Sequence, residues 1–151
     1  MTTYLIDAGI TEQLNPISEQ FFRNDFKAIQ NCPPALQRAI GFICEHYTDP
    51  LSLSDVSSRA FISSSHLSYL FRKHLGLRFK NLLCELRIRK SISLLHRNPR
   101  VLITELSLQS GFFDLSHFEK MFRRYTNMTP REYRDLVRSN IKLTDEEGQA
   151  E

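Results

Sequence analysis

Ser65-His66-Leu67-Ser68-Tyr69-Leu70-Phe71-Arg72-Lys73 returns about fifty residues later as Ser116-His117-Phe118-Glu119-Lys120-Met121-Phe122-Arg123-Arg124. Apolar positions match apolar ones: Leu67 with Phe118, Leu70 with Met121 and Phe71 with Phe122. A basic pair follows the second Phe in both copies. Upstream, Leu53-Ser54-Asp55-Val56-Ser57 pairs with Ile103-Thr104-Glu105-Leu106-Ser107. Two copies are too few for a solenoid, whose neighbours must stack to bury a core. The repeat therefore predicts two small helical units, each showing a similar basic helix.

Working outward, the apolar spacing is helical throughout and no segment alternates as a strand would. Leu36, Ile40, Ile43 and Tyr47 mark a helix that Asp49-Pro50 ends. Ser52 with Asp55 three residues on predicts a capped start for a short helix carrying Val56 and Ala60. A turn at Ile62-Ser63 leads to a helix over Ser64–Leu75, closed by Gly76. A longer amphipathic stretch follows over 79–97, with Leu82, Leu83, Leu86, Ile92 and Leu95 on one face and Arg87, Arg89 and Lys90 on the other. The second unit repeats the plan, with helices over Ile103–Gln109 and Leu115–Tyr125 around a turn at Gly111-Phe112. Thr129-Pro130 then opens a last helix carrying Tyr133 and Val137.

The ends differ from this core. Residues 1–34 are expected to form an extension, with a helix over Ile10–Ile29 interrupted at Asn15-Pro16. Phe21, Phe22 and Phe26 would share one side of it, which suits packing against the module first; a dimerisation or partner-binding helix, a disordered lead and the vestige of a lost effector domain are the other readings. Residues 139–151 are expected to form an acidic, flexible tail. The net charge of +3 conceals this partition: residues 35–138 hold 17 Lys/Arg against 9 Asp/Glu, while both ends are acidic. A basic middle favours an anionic partner. No apolar run approaches the roughly 20 residues that span a bilayer, and the start lacks a signal-peptide pattern. A cytoplasmic protein is expected. Its three cysteines and five histidines show no disulfide or metal spacing, so no metal or cofactor is expected. Neither a paired carboxylate site nor a phosphate-cradling glycine loop is present, so no enzyme is expected.

A short helix, a tight turn and a second helix with exposed hydroxyl and basic groups make a helix-turn-helix. Such a second helix puts small or hydrogen-bonding residues near its N-terminus, where base edges lie, and cations further on, where phosphates run. Ser64, Ser65, Ser68, Tyr69, Arg72 and Lys73 fit that layout in the first unit. Leu115, Ser116, Glu119, Lys120, Arg123 and Arg124 fit it in the second, and Glu119 can accept from a cytosine amino group. Duplex DNA, a long polyanion with a regular repeat, suits two such units.

The second unit, from Ile103-Thr104-Glu105-Leu106-Ser107 through Ser110-Gly111-Phe112, Ser116-His117-Phe118 and Phe122-Arg123 to Thr129-Pro130-Arg131-Glu132-Tyr133-Arg134, resembles the signature of AraC/XylS-type transcription regulators. His66-Leu67, Leu70-Phe71-Arg72-Lys73, Gly76 and Leu86-Arg87-Ile88-Arg89-Lys90 resemble that family's first unit and connecting helix. The resemblance covers Leu36 to Val137. It implies an all-α, seven-helix module of two helix-turn-helix subdomains, 35–78 and 98–138, joined by a long linker helix, 79–97. It also implies that Ser65, Ser68 and Tyr69, and then Leu115, Ser116, Glu119 and Lys120, face bases in two successive major grooves. Family members often activate by contacting RNA polymerase. The expected partners are thus double-stranded DNA, bound by one chain, and RNA polymerase, at a bacterial nucleoid. Four positions depart from the pattern: Tyr69 stands where many relatives carry Arg, Ser57 and Ser107 replace Ala, and Asn127 replaces Gly. Two rival expectations are a nucleoid or origin-binding protein of this fold, and a module that binds a partner subunit. Acidic or apolar reading faces would favour the latter.

Overall fold

The computed structural model of the protein describes residues 13–149. Among them are eight α-helices and no strand. They divide into two compact units, Asn15–Arg89 and the chain from Lys90 onward together with Leu14.

The first unit opens where Asn15 caps helix α1 (Pro16–Phe22), its side chain accepting from the Ile17 N–H at 3.0 Å. Pro16 suits the first turn, whose N–H groups lack helical partners. The helix is shorter than the expected Ile10–Ile29. Arg23 ends it and Asn24 turns the chain at φ 58°; Ile10 lies outside the described residues. Phe21 is buried in the unit's core with Ile29, Phe22 is half-buried, and Phe26 falls beyond the helix and is exposed. Helix α2 (Pro34–His46) buries Leu36, Ala39, Ile40 and Ile43. Helix α3 (Leu53–Ala60) starts with the anticipated reciprocal cap: the Asp55 N–H donates to Ser52 Oγ at 3.1 Å and the Ser52 N–H to Asp55 Oδ2 at 2.9 Å. Those bonds hold the Asp55 carboxyl below its ordinary range. Helix α4 (Ser64–Leu70) buries Leu67 and Leu70. It then widens into a π-type turn over Phe71–Leu75, closed by Gly76 at φ 66°; the expected Ser64–Leu75 helix thus changes type at Phe71.

Helix α5 (Phe79–Arg97) runs unbroken, and its buried residues include Leu82, Leu83, Leu86, Ile88, Ile92 and Leu95. Two of the three residues expected on its basic face, Arg87 and Arg89, are engaged inside the unit instead. Arg87 donates to Tyr47 O at 2.6 Å and Asp49 O at 2.9 Å, capping the end of α2. Arg89 is buried, donating to Ser18 Oγ at 2.8 Å and Asn15 O at 3.2 Å. Buried Glu85 accepts from the Asn15 N–H at 2.7 Å. Burial raises the Glu85 carboxyl and lowers the Arg89 guanidinium, each partly offset by its hydrogen-bonded or charged neighbours. Charges taken from water need such partners, and α1 supplies them. From Asn15 onward, the expected extension contributes to the first unit's interior.

In the second unit, α6 (Ile103–Gln109) and α7 (Leu115–Thr126) match the anticipated helices to within a residue. Asn127 ends α7 at φ 60°, the left-handed conformation its glycine-like position requires. Helix α8 (Pro130–Gln149) begins with a second reciprocal cap: the Glu132 N–H donates to Thr129 Oγ1 at 3.2 Å and the Thr129 N–H to Glu132 Oε2 at 3.1 Å. It does not stop at Arg138. No Pro or Gly interrupts 131–147, so 139–149 continues as helix rather than a flexible tail. The core is a chain of rings: Phe112–Phe118 at 5.1 Å between centroids, Phe118–Phe122 at 5.7 Å, Phe122–Tyr133 at 5.6 Å and Tyr133–His96 at 5.7 Å. The Tyr133 hydroxyl lies 2.8 Å from His96 Nε2, which satisfies a fully buried polar tip.

Candidate nucleic-acid interface

In each unit the second helix of the motif is fixed by its buried side and bare on its outer side. Ser63 caps α4 by accepting from the His66 N–H at 3.1 Å. Leu67, Leu70 and Phe71 anchor the inner face. Outward lie Ser65, half-buried Ser68, Tyr69 at 54% exposure, and exposed Arg72 and Lys73. The Lys73 ammonium sits 5.6 Å from the Tyr69 ring centroid. That places a cation against an exposed aromatic face, a favourable contact that gathers two expected site residues into one patch. Ser64 is the exception among them. It is half-buried with its Oγ 3.0 Å from Ser57 Oγ, while Ser57 donates to Ser54 O at 3.0 Å. Ser64 therefore ties α4 back to α3 rather than facing outward.

Asp114 caps α7, accepting from the Ser116 N–H at 2.9 Å and the His117 N–H at 3.3 Å. Phe118, Phe122 and Thr126 form the buried side. Leu115, at 38% exposure, and Ser116, Glu119, Lys120, Arg123 and Arg124 are all exposed. The Arg124 guanidinium lies 6.0 Å from the Tyr125 ring centroid. Among the described residues, none of Arg72, Lys73, Lys120, Arg123 or Arg124 enters an ion pair; the ion pairs present join Arg23 to Glu19 and His46 to Glu45 and Asp49. Cations outside any ion pair are open to attraction by an outside anion.

Ser57 and Ser107 proved structural: the Ser107 hydroxyl donates to Phe112 O at 3.2 Å, latching the second turn as Ser57 latches the first. Phe112 is buried against Phe118, as a turn anchored in the core requires. His66 and His117 are both exposed, their rings near Tyr69 and Phe112 respectively. Cys44 donates to Phe21 O at 3.7 Å, and burial pushes its thiol up to about 12. Among the described residues, no three of His, Cys, Asp and Glu gather as a metal site, and no helix is long and apolar enough to cross a membrane. A groove of about 510 Å³ in the first unit is lined by Phe42, His46, Asp49, Leu51, Asp55 and Arg59 among others. Its two carboxylates carry the wrong sign for phosphate.

Two all-α units, each offering a capped, cation-bearing second helix, define a double helix-turn-helix protein. Residues 56–136 match the family model of a helix-turn-helix domain, and the chain belongs to the AraC-type helix-turn-helix family of DNA-binding domains. It is 34% identical over 118 residues to an HTH-type transcriptional regulator of Staphylococcus aureus, covering 78% of this chain and 14% of that one. With the Msm operon regulatory protein of Streptococcus mutans it shares 32% identity over 98 residues, 65% of this chain and 35% of the relative. The chain thus spans only a minor part of these relatives' length. A solved structure of an AraC-type transcriptional regulator from Chromobacterium violaceum is similar with a TM-score of 0.61 at 29% identity, covering 69% of this chain and 92% of that one.

Proposed function

We propose that the chain is a sequence-specific, DNA-binding regulator of bacterial transcription that reads two successive major-groove segments, one with α4 and one with α7. Ser65, Ser68, Tyr69, Leu115, Ser116, Glu119 and Lys120 read base edges, while Arg72, Lys73, Arg123 and Arg124 meet phosphates. The observation that carries this reading is the pair of second helices, each buried on its apolar side and lined outside with cations free of internal ion pairs. The rival partner-subunit reading would need acidic or apolar faces there. The first unit extends back to Asn15, ahead of the expected module at 35–138, because α1 completes its core.

The protein binds as one chain in the cytoplasm, at the nucleoid, and activates by touching RNA polymerase. Membership of the AraC-type family and the names of the relatives support regulation. The test is a salt series on a duplex selected from a random pool, followed by fluorescence anisotropy. Roughly 5–8 phosphate contacts should give a log–log slope of about −4 to −7. An affinity indifferent to salt would overturn the reading. Inserting five base pairs between the two protected segments turns one to the opposite face of the duplex and should abolish tight binding, since readers must lie about one helical turn apart.

A further inference from the structure

Both helix-turn-helix bends close with the same hydrogen-bond pair. In the first, the Phe61 N–H donates to Ser58 O at 3.3 Å and the Ile62 N–H to Ser57 O at 3.2 Å. In the second, the Gly111 N–H donates to Leu108 O at 3.1 Å and the Phe112 N–H to Ser107 O at 2.9 Å. The residue at the bend is left-handed in both, φ 60° at Phe61 and φ 96° at Gly111. Glycine takes that conformation freely, whereas a phenylalanine crowds its Cβ against the following carbonyl. The second unit shows that the bend needs no ring. Burial does not account for the ring either, because Phe61 is 82% exposed. A strained residue kept at the surface beside a reading helix points to a use.

What Phe61 touches is a cation. The Arg38 guanidinium lies 5.6 Å from the ring centroid, and its Nη2 donates to Ala60 O at 3.0 Å. That hydrogen bond holds the guanidinium over the ring and leaves its other N–H groups available. Phe61 sits at the bend two residues before Ser63, the cap of α4, and Arg38 reaches it from α2.

We propose that Arg38 and Phe61 form a backbone contact for DNA, the guanidinium meeting a phosphate and the ring lying on the adjoining deoxyribose. The inference rests on the DNA-binding reading above. A planar guanidinium matches phosphate oxygens, and an exposed ring beside it suits the apolar face of a sugar. Contacts of this kind position a protein on the duplex without reading sequence.

The test compares the complete wild-type chain with Phe61→Gly and Arg38→Gln. Each is titrated over a salt series with the selected duplex and with an unrelated duplex of equal length, and thermal unfolding is measured alongside. Phe61→Gly should bind both duplexes about three- to tenfold more weakly, the scale of one or two methylene equivalents of apolar contact, with an unchanged salt slope. Its Tm should stay within about 3 °C of wild type or rise, since glycine relieves the bend. Arg38→Gln, which keeps a donor for Ala60 O, should flatten the slope by about 0.9, one phosphate's worth. Wild-type affinity in Phe61→Gly overturns the proposal. It is also overturned if Tm and affinity fall together, or if the loss is confined to the selected duplex. Failure of the wild type to bind either duplex would instead bring down the DNA-binding reading itself.

Discussion

The two units offer the same outer face but are held together differently inside. In the first, a polar clamp fastens α1 to α5: Glu85 and Arg89, both buried, take up the Asn15 backbone and the Ser18 hydroxyl. In the second, a chain of rings from Phe112 to His96 does the equivalent work, and the buried polar residues beside it are the hydroxyls of Ser91, Ser107, Ser110 and Thr126 rather than charges. The bends differ too, one closed by a strained Phe61 and the other by Gly111. What the repeat specifies is the cap, the apolar inner stripe and the cationic outer stripe of the second helix. How that helix is fastened is left to each unit. A motif defined by its working face can tolerate either solution.

The largest blow to this contrast is struck at the rings. Phe122→Ala, at the middle of the chain, should cost about 3–5 kcal/mol, the usual penalty for emptying a buried aromatic site. Hydrogen exchange should show α6 to α8 losing protection while α2 to α4 keep theirs. Equal loss in both would mean that the two interiors are one cooperative core.

The clamp should respond differently, and to pH. Glu85→Ala leaves the Asn15 N–H without its acceptor and should cost about 1–3 kcal/mol. Glu85→Gln keeps an acceptor and removes the titration. Burial raises the Glu85 carboxyl above its ordinary 4.5, so the folded chain holds that proton more tightly than the unfolded one. Stability from this group is therefore full below pH 4.5 and declines as the pH rises through the raised value. Relative to Glu85→Gln, the wild type should lose stability between pH 4.5 and neutrality in urea titrations. A wild type that gained on the variant over that range would show the carboxylate to be better accommodated folded than unfolded.

On the outer faces, Lys120→Ala should relax preference at one base position by about 1–3 kcal/mol. Arg72→Ala should weaken specific and non-specific duplexes alike. Identical specificity profiles for the two variants, measured on a panel of single-base substitutions, would break the division into base readers and phosphate contacts. The smallest effect belongs to the bend. Gly111→Ala imposes a Cβ on a left-handed residue and should cost about 1–2 kcal/mol, seen as a lowered urea midpoint with an unchanged m-value.

Much of this was legible in the sequence, for reasons that also explain what was not. Helices α5 and α6 and both second helices could be located because apolar spacing and local caps lie within a few residues of one another. Ser52 with Asp55, or Asn127 in place of glycine, carry their meaning in the local chain. The fate of Arg87 and Arg89 does not. A charged residue on a helix reads as solvated unless its partner is visible, and those partners lie far upstream: 40 residues for Tyr47, 71 for Ser18. Ser64 misled for a related reason, since a small hydroxyl near a helix start serves equally as reader or as latch. Only the position of Ser57 decides it. The continuation of α8 past Arg138 was hidden by acidic composition, which resembles a tail although it contains good helix formers.

The clamp also has a temporal side. Asn15 and Ser18 leave the ribosome long before Glu85 and Arg89, and the bonds joining them span 70 and 71 residues. Closing so long a loop costs entropy before any contact repays it. The second unit's rings close far shorter loops, at most the 37 residues between His96 and Tyr133. The unit that begins first on the chain is therefore built to finish its interior late, with α1 waiting for α5 to be made.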